Sequence, residues 1–187
     1  MKNIIVISTS FGMIRPWTGR DIDALVKYAD NPNVAANLRD AFPHPYTRKS
    51  ARSFLAMVMD QRPMTFFALA TPDEAIGAIG VSPGRDVHRL TAELGYWLGE
   101  PFWGRGIMTE SVTVFTDFAF QEFGLARIFA EPYAENRASC HVLEKSGFEL
   151  EGRLKSSVIK HGRIMDQLMY AKVRPLMDRQ EANRESR

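Results

Sequence analysis

Apolar residues along this chain follow strand-like and helix-like spacings in turn, and the changes between them predict the order of its elements. A β-branched run opens an extended segment over residues 4–17, which ends at Arg15-Pro16 because proline disfavours helix in the residue before it. Helical spacing then begins after small polar residues that can cap a helix. The predicted helices run from Thr18 to a stop at Asn31-Pro32-Asn33, over 34–39, from Thr47 to Pro63, over 105–123 and over 136–145.

The other apolar runs predict strands, and the connections between them predict the pairing. These strands cover residues 64–70, 75–81, 91–99, 127–133, 148–160 and 163–173. The first two are joined by a short polar turn and predict an antiparallel hairpin, and the last two turn at His161-Gly162. The third and fourth flank a helix, and such a strand–helix–strand unit predicts a parallel pair.

A short turn with two glycines, Gly104 and Gly106, separates strand 91–99 from the helix after it. The first N–H groups of a helix have no partner within it and carry a partial positive charge, so they can bind an anion such as phosphate. Arg105, between the glycines, adds a cation. The alternatives are a plain turn and an arginine that faces solvent.

Composition narrows the function classes. Of 187 residues, 45% are hydrophobic and 25% charged, and the net charge of +2 is too small to argue for nucleic acid. A single cysteine excludes a disulfide framework and a zinc cluster. The apolar run Ile4–Ile7 is too short for a signal peptide or a membrane span, so we expect a cytoplasmic protein without a membrane partner. We expect one domain over 1–174 and a polar, flexible tail over 175–187.

Four short motifs lie between residues 10 and 173, and their order and spacing carry more weight than any one of them. The motifs are Met13-Ile14-Arg15-Pro16-Trp17, the run 92–98 (AELGYWL), Trp103-Gly104-Arg105-Gly106 with Thr109-Glu110, and Asn136-Arg137-Ala138-Ser139 running to Lys145-Ser146-Gly147-Phe148. Together they resemble the GCN5-related N-acetyltransferases, and more narrowly the ribosomal-protein N-terminal acetyltransferases. The resemblance implies an α/β fold with a mixed sheet of six to seven strands and about four helices on both faces. It also implies a splay between the fourth and fifth strands, here 91–99 and 127–133.

The resemblance implies acetyl-CoA as co-substrate, with no metal, and assigns the anion site to its pyrophosphate. The family motif is Gln/Arg-x-x-Gly-x-Gly/Ala, and Pro101 stands at its first position, so backbone donors rather than that side chain would bind the phosphates. Pantetheine would bond to the end of strand 91–99. The residues expected to bind the cofactor are Trp97, Leu98, Trp103, Gly104, Arg105, Gly106, Ile107, Met108, Thr109, Asn136 and Ser139.

Glu93 lies in a strand that we expect to be largely buried, where a carboxylate is costly unless it is paired or has a function. Acetylation needs a neutral amine, and a free α-amine (pKa about 7.7–8.0) loses its proton more readily than a lysine (about 10.4). Glu93 is therefore the candidate general base, directly or through a water. The alternative is a structural carboxylate bonded to a neighbouring strand.

Asn136 and Ser139 stand at the start of a predicted helix, where they also fit an N-cap and the residue that bonds to it. The resemblance implies that Asn136 binds the pantetheine amide and that Ser139 donates a proton, directly or by relay, to the departing thiolate. Tyr133, just before the helix, ranks behind Ser139. Cys140 has only the adjacent His141 to activate it, and that side chain should point elsewhere, so we expect a small buried residue rather than a nucleophile.

A loop with two prolines and two aromatic residues, 41–46, is too apolar for a solvated linker. In the family such a loop borders the acceptor groove, which makes Phe42, His44 and Tyr46 candidate substrate contacts. The alternative is a hydrophobic plug over the core.

The hypothesis from the sequence is an acetyl-CoA-dependent N-acetyltransferase that moves an acetyl group directly to a primary amine in a ternary complex. The amine would be a protein N-terminus or a small molecule. The alternative is a non-catalytic acyl-CoA-binding or regulatory protein on the same fold. Homodimers are common in the family, so a homodimer is compatible with the sequence.

Overall fold

The protein is described by a computed structural model over residues 5–174, so the predicted tail 175–187 lies outside the described residues. The strands are β1 (Ile7–Thr9), β2 (Gly12–Arg15), β3 (Phe66–Ala70), β4 (Ala75–Pro83), β5 (Thr91–Leu98), β6 (Arg127–Ala130), β7 (Glu149–Lys160) and β8 (Arg163–Val173). The α-helices are α1 (Ile22–Ala29), α2 (Pro32–Ala35), α3 (Arg48–Asp60), α4 (Ile107–Glu122) and α5 (Arg137–Lys145). The strands form one mixed sheet in the order β1-β2-β3-β4-β5-β6-β8-β7.

The predicted α/β fold class is confirmed, but residues 5–174 contain eight strands and five α-helices rather than six to seven strands and about four helices, and three predicted segments differ. The segment 4–17 forms two strands, because the chain reverses between Thr9 and Gly12, which pair with each other. The short helix predicted over 34–39 is α2, which starts earlier because Asn31 caps it and Pro32 suits a first helical turn. The strand predicted over 127–133 ends at Ala130, beyond which the chain turns away from β5.

Helices cover both faces of the sheet, and strand alternation divides the core between them. In β3, Phe67 and Leu69 point to the face that α4 and α5 cover, while Ala68 points to the face covered by α1 and α3. Phe115 of α4 lies fully buried against Phe67, with ring centroids 5.7 Å apart. The position of the start of α4 is therefore fixed by this packing.

The only parallel contact among these neighbouring strands, β5 with β6, is short. The pairs are Thr91 with Arg127, Ala92 with Ile128 and Glu93 with Phe129. Beyond them β5 continues beside β4 alone, since β6 ends and Tyr133 forms an isolated bridge to Gln167 of β8. The sheet therefore opens between β5 and β6 just past Glu93, where the splay was expected.

Gly77 allows β4 to lie very close to the end of β5, beside this opening. A Cβ at Gly77 would lie 2.4 Å from the Trp97 carbonyl oxygen and 3.1 Å from the Cα of Leu98. Both are backbone atoms that cannot rotate away, so Gly77→Ala is expected to lower the free energy of unfolding by about 1–3 kcal/mol in urea denaturation.

Gly95 provides the matched control, because it is also a strand glycine. A Cβ there would meet nothing within 4 Å, and its φ lies outside the left-handed region. Gly95→Ala is expected to change stability by less than about 0.5 kcal/mol. Equal losses in the two variants would show that close strand approach is not what Gly77 provides.

Candidate functional site

The edge of β5 that faces the opening carries free backbone groups. Gly99 N–H donates to the Ile76 carbonyl at 2.8 Å, which fixes the alternation of hydrogen bonds between β5 and β4. The backbone of Trp97 therefore points to β4, whereas the backbone groups of Tyr96 and Leu98 point into the opening. The Leu98 carbonyl accepts from the Trp103 indole, so the groups available for the expected pantetheine contacts are the Leu98 N–H and the backbone of Tyr96.

The turn after β5 is rigid and leads directly into α4. Glu100–Phe102 form a single 3-10 turn that contains Pro101, the residue that departs from the family motif. The Glu100 carboxylate accepts hydrogen bonds from the Asn31 and Asn33 side-chain amides, at 2.6 and 2.8 Å. The Trp103 indole N–H donates to the Leu98 carbonyl at 2.7 Å. These contacts hold the turn in place without a side chain at the first motif position.

Both glycines of the turn adopt left-handed backbone conformations, with φ of +73° at Gly104 and +77° at Gly106. A Cβ at either would meet nothing within 4 Å, so the requirement for glycine is conformational and the space beside the turn is open. Gly106 is the N-cap of α4, and its carbonyl accepts from Glu110 N–H at 3.0 Å. The N–H groups of the helix residues before Glu110 therefore lie ahead of the intrahelical ladder and can bind an anion.

At the start of α4, some side chains are buried and fix the backbone, and others are exposed. Ile107 and Met108 are buried in the core, so their backbones are fixed while their N–H groups remain at the helix end. Arg105 is exposed, lies 5.8 Å from the Phe102 ring centroid, and has no carboxylate partner in residues 5–174. Thr109 accepts a hydrogen bond from Ser146 Oγ at 3.3 Å, which ties the end of α5 to the first turn of α4.

The start of α5 faces the opening through Ser139. Asn136 is its N-cap, and its Oδ1 accepts from Ser139 N–H at 3.1 Å. Ser139 Oγ and the Tyr96 hydroxyl form a hydrogen bond of 2.7 Å, and Tyr96 also donates to the Ser139 carbonyl at 3.3 Å. Burial raises the pKa of Tyr96 far above the usual range, so its hydroxyl stays protonated and keeps its hydrogen bond with Ser139.

Tyr96 was missed by sequence reasoning, although its strand position contained the signal. Successive side chains of a strand point to opposite faces. Tyr96 reaches α5, while Trp97 packs against Phe42 on the other face, with ring centroids 5.8 Å apart. By the same alternation Glu93 shares the face of Trp97. The opening thus has Ser139 and Tyr96 on one side and Glu93 on the other.

Glu93 lies half-buried in a small charged cluster. The Arg39 guanidinium donates to its Oε1, and the same guanidinium lies 3.5 Å from Oε2 of Glu131. Burial raises the pKa of Glu93, Arg39 lowers it, Glu131 raises it, and the sum lies above the usual value. A carboxylate with a raised pKa is a better base. Sequence reasoning missed Arg39 and Glu131, because nothing local links a residue after α2 to one after β6.

The candidate substrate contacts occupy three different environments. Phe42 covers Trp97 beside the opening. His44 is exposed on the outer side, with Nδ1 3.5 Å from Asp30 Oδ1. Tyr46 is 3% exposed and packs against Phe42, and burial raises its pKa to about 12. Of the three, Phe42 therefore contacts Trp97 of β5, and Tyr46 packs behind Phe42.

Two residues ranked lower by sequence reasoning are buried. Cys140 is 3% exposed, and burial raises the pKa of its thiol, which suits packing rather than nucleophilic attack. His141 bonds to the Arg137 carbonyl at 3.0 Å on the exposed side of α5. Tyr133 donates to the Leu38 carbonyl at 3.2 Å and so faces away from Ser139.

Within residues 5–174 no group of three or more metal-ligating side chains is found, and no helix there could cross a membrane.

A sequence model of a family described as acetyltransferase (GNAT) domain matches residues 13–149, more than half of the chain. The chain belongs to the GNAT acetyltransferase family. The GNAT protein named "Uncharacterized N-acetyltransferase p20" of Bacillus licheniformis is 31% identical over 164 residues, which cover 84% of this chain and 90% of that protein. The family and such relatives show that this GNAT chain is an acyltransferase of the N-acetyltransferase type.

Two further relatives have more specific names. A ribosomal-protein-serine acetyltransferase of Escherichia coli (strain K12) is 31% identical over 107 residues, covering 57% of this chain and 59% of that protein. The solved structure of RimL, a ribosomal L7/L12 alpha-N-protein acetyltransferase in complex with coenzyme A, has a TM-score of 0.80 and 21% identity. The match covers 91% of this chain and 98% of the RimL chain. At 21% identity, this similarity shows only that the two proteins share the GNAT fold.

Proposed function

We propose that this protein transfers an acetyl group from acetyl-CoA directly to a primary amine while both substrates are bound. The observation that carries this proposal is the opening between β5 and β6, with a carboxylate on one face and a protonated hydroxyl pair on the other. A thioester in the opening would be accessible from both faces. The amine would then approach from the side of Glu93, and the sulfur would lie on the side of Ser139.

The phosphate end of the cofactor fits the glycine turn. Free N–H groups at the start of α4 and the exposed Arg105, which has no carboxylate partner among the described residues, complement the pyrophosphate. Open space at Gly104 and Gly106 lets the phosphates approach the backbone. Pantetheine would follow the free edge of β5 at Tyr96 and Leu98 and reach Asn136 at the start of α5.

Each step of the transfer has a group of this chain placed for it. Glu93 accepts the proton of the amine, directly or through a water, and the neutral nitrogen attacks the thioester carbonyl carbon. The Leu98 N–H, which points into the opening, stabilises the oxyanion. The carbon–sulfur bond then breaks and the attacking nitrogen loses its second proton to water. Ser139 donates its proton to the thiolate and regains one through the Tyr96 hydroxyl, which is reprotonated from water.

Release of free CoA with a panel of amines tests the proposal. The panel contains peptides with different N-termini, amino acids, polyamines and aminoglycosides, and peptides come first because two relatives are named for ribosomal proteins. Amine-dependent CoA release that matches acetylated product by mass spectrometry is expected. Tight acetyl-CoA binding with no release for any amine would instead identify a non-catalytic acyl-CoA-binding protein.

Ser139→Ala is expected to lower kcat about tenfold with little change in acetyl-CoA affinity, since a thiolate is a fair leaving group and a donor assists it only in part. Tyr96→Phe keeps the ring in place and removes only the second donor, so a smaller loss of about threefold is expected. The two losses should not add, because both hydroxyls act in one relay. Additive losses in the double variant would show that the hydroxyls act separately.

A further inference from the structure

We propose that Glu93 and Glu131 together form the binding site for the ammonium group of the acceptor, and that Arg39 occupies this site until the acceptor displaces it. The inference rests on the proposed function and adds to it a specificity element and a positioning residue. Its starting point is the single cation held between two carboxylates on the acceptor side of the opening.

The two carboxylates flank the point where the sheet opens. Glu93 is the last residue of β5 that pairs with β6, and Glu131 directly follows β6. Two like charges this close are unfavourable unless a cation lies between them. Both side chains are largely covered, with 27% and 22% exposed, so they require such a cation more than surface residues do.

The cation present is easy to replace. Arg39 lies in the loop that joins α2 to α3, outside any helix or strand, and its side chain is 62% exposed. Ion pairs of such exposed side chains contribute little free energy. When the Arg39 guanidinium leaves, the incoming ammonium group replaces its positive charge beside the two carboxylates. The exchange therefore conserves the electrostatics of the cluster.

The backbone beside Arg39 is fixed on both sides. The Leu38 carbonyl accepts from the Tyr133 hydroxyl at 3.2 Å. Asp40 pairs at 2.8 Å with Lys160, which is 5% exposed at the end of β7. Displacement of Arg39 is thus a rotation of one side chain, and the loop itself need not open.

The arrangement suits an acceptor that arrives protonated. At neutral pH an α-amine or a lysine is largely an ammonium ion, which needs a carboxylate to bind it and a second to take its proton. Glu131 serves the first purpose and Glu93 the second. The charged groups that face Glu93 are Arg39 from the α2–α3 loop and Glu131 after β6, and they move the pKa of Glu93 in opposite directions.

Titration with n-butylammonium chloride, observed by 13C NMR of labelled glutamate carboxylates, tests the proposal without turnover. Both the Glu93 and Glu131 signals are expected to shift, and n-butanol should shift neither. Arg39→Met should bind butylammonium about fivefold more tightly, because no cation has to leave. Glu131→Gln should bind it about tenfold more weakly, with part of the affinity restored in Glu131→Asp. Arg48→Met, which removes another exposed paired arginine, should change nothing.

The pH profile of kcat/KM for the amine gives a readout that a structural role would not move, because it reports the free enzyme, in which Arg39 still lies beside Glu93. Its acidic limb should shift to higher pH in Arg39→Met and to lower pH in Glu131→Gln, since the first removes a positive neighbour of Glu93 and the second a negative one. Weaker butylammonium binding in Arg39→Met, or unchanged binding in Glu131→Gln, would overturn the proposal. Butylammonium binding of the expected kind without CoA release from any amine would overturn the proposed function and leave this inference standing.

Discussion

Glu93→Gln is expected to lower kcat by about 10²–10⁴-fold, the range for removal of a positioned general base. Glutamine keeps the size of the side chain and can still hydrogen-bond near Arg39, so the opening should keep its shape. Acetyl-CoA affinity should stay within about twofold, because Glu93 lies on the face opposite Ser139. Steady-state kinetics with the best amine of the panel, together with calorimetric titration of acetyl-CoA, measure the two quantities.

The pH profiles of wild type and of Glu93→Gln show whether activity requires Glu93 to be ionised. Glu93 must be ionised to accept a proton, and its pKa is raised by burial and by Glu131. Wild-type kcat/KM for the amine should therefore fall as the pH decreases through this raised pKa, at a higher pH than for an ordinary glutamate. The variant should lose this acidic limb and retain only the ionisation of the amine itself.

Glu149→Gln is the matched control, since Glu149 is exposed on β7 and its carboxylate has no hydrogen bond or ion pair in the described part of the chain. It should keep kcat within about twofold. Full activity of Glu93→Gln at neutral pH would assign the base elsewhere. Equal loss of kcat and of acetyl-CoA affinity would give Glu93 a structural role instead.

The elements with strong local signals could be predicted from sequence. Helix α3 begins after Thr47 and α5 after Asn136, because a side-chain oxygen placed to accept an N–H determines where a helix starts. The β7–β8 hairpin turns at His161-Gly162 for an equally local reason, since both residues take positive φ. The glycine turn before α4 could be recognised because its conformation depends on two glycines separated by one residue, Gly104 and Gly106.

The parts of the site that depend on distant packing could not be predicted. Arg39 meets Glu93 across 54 positions of the chain, and Tyr96 meets Ser139 across 43. The spacing of apolar residues along the chain does not indicate such contacts. They arise only because β6 ends early and the α2–α3 loop crosses towards it. Sequence reasoning therefore predicted single residues such as Glu93 and Ser139 and missed the partners that the structure places beside them.

Asp21→Asn is expected to lower the free energy of unfolding by about 3 kcal/mol, the cost of removing one partner of a largely buried ion pair. The Asp21 side chain is 6% exposed, and Arg15 binds both of its oxygens, at 2.7 and 2.9 Å. Thr18 donates its backbone N–H to the same carboxylate at 2.8 Å. The pair joins the end of β2 to the start of α1, so the variant leaves the Arg15 cation without a counter-charge.

The pH dependence of this loss follows from the direction of the pKa shift. Burial alone would raise the pKa of Asp21, but the hydrogen bonds from Arg15 and Thr18 outweigh it and hold the pKa below the usual 3.8. A lowered folded-state pKa gives stability that is fully present above the unfolded value and is lost as the pH falls through the folded value. Urea denaturation of wild type and variant should therefore differ most near pH 7, begin to converge as the pH falls below about 4, and meet only below the lowered folded-state pKa of Asp21.

Asp23→Asn distinguishes burial from charge, because Asp23 lies two residues away and also pairs with an arginine. Its side chain is 76% exposed and that of Arg48 is 58% exposed, so water screens the pair. A change of less than about 0.5 kcal/mol is expected. If Asp21→Asn cost no more than Asp23→Asn, the link between β2 and α1 would depend on the packing of Trp17 and Leu25 rather than on the buried pair.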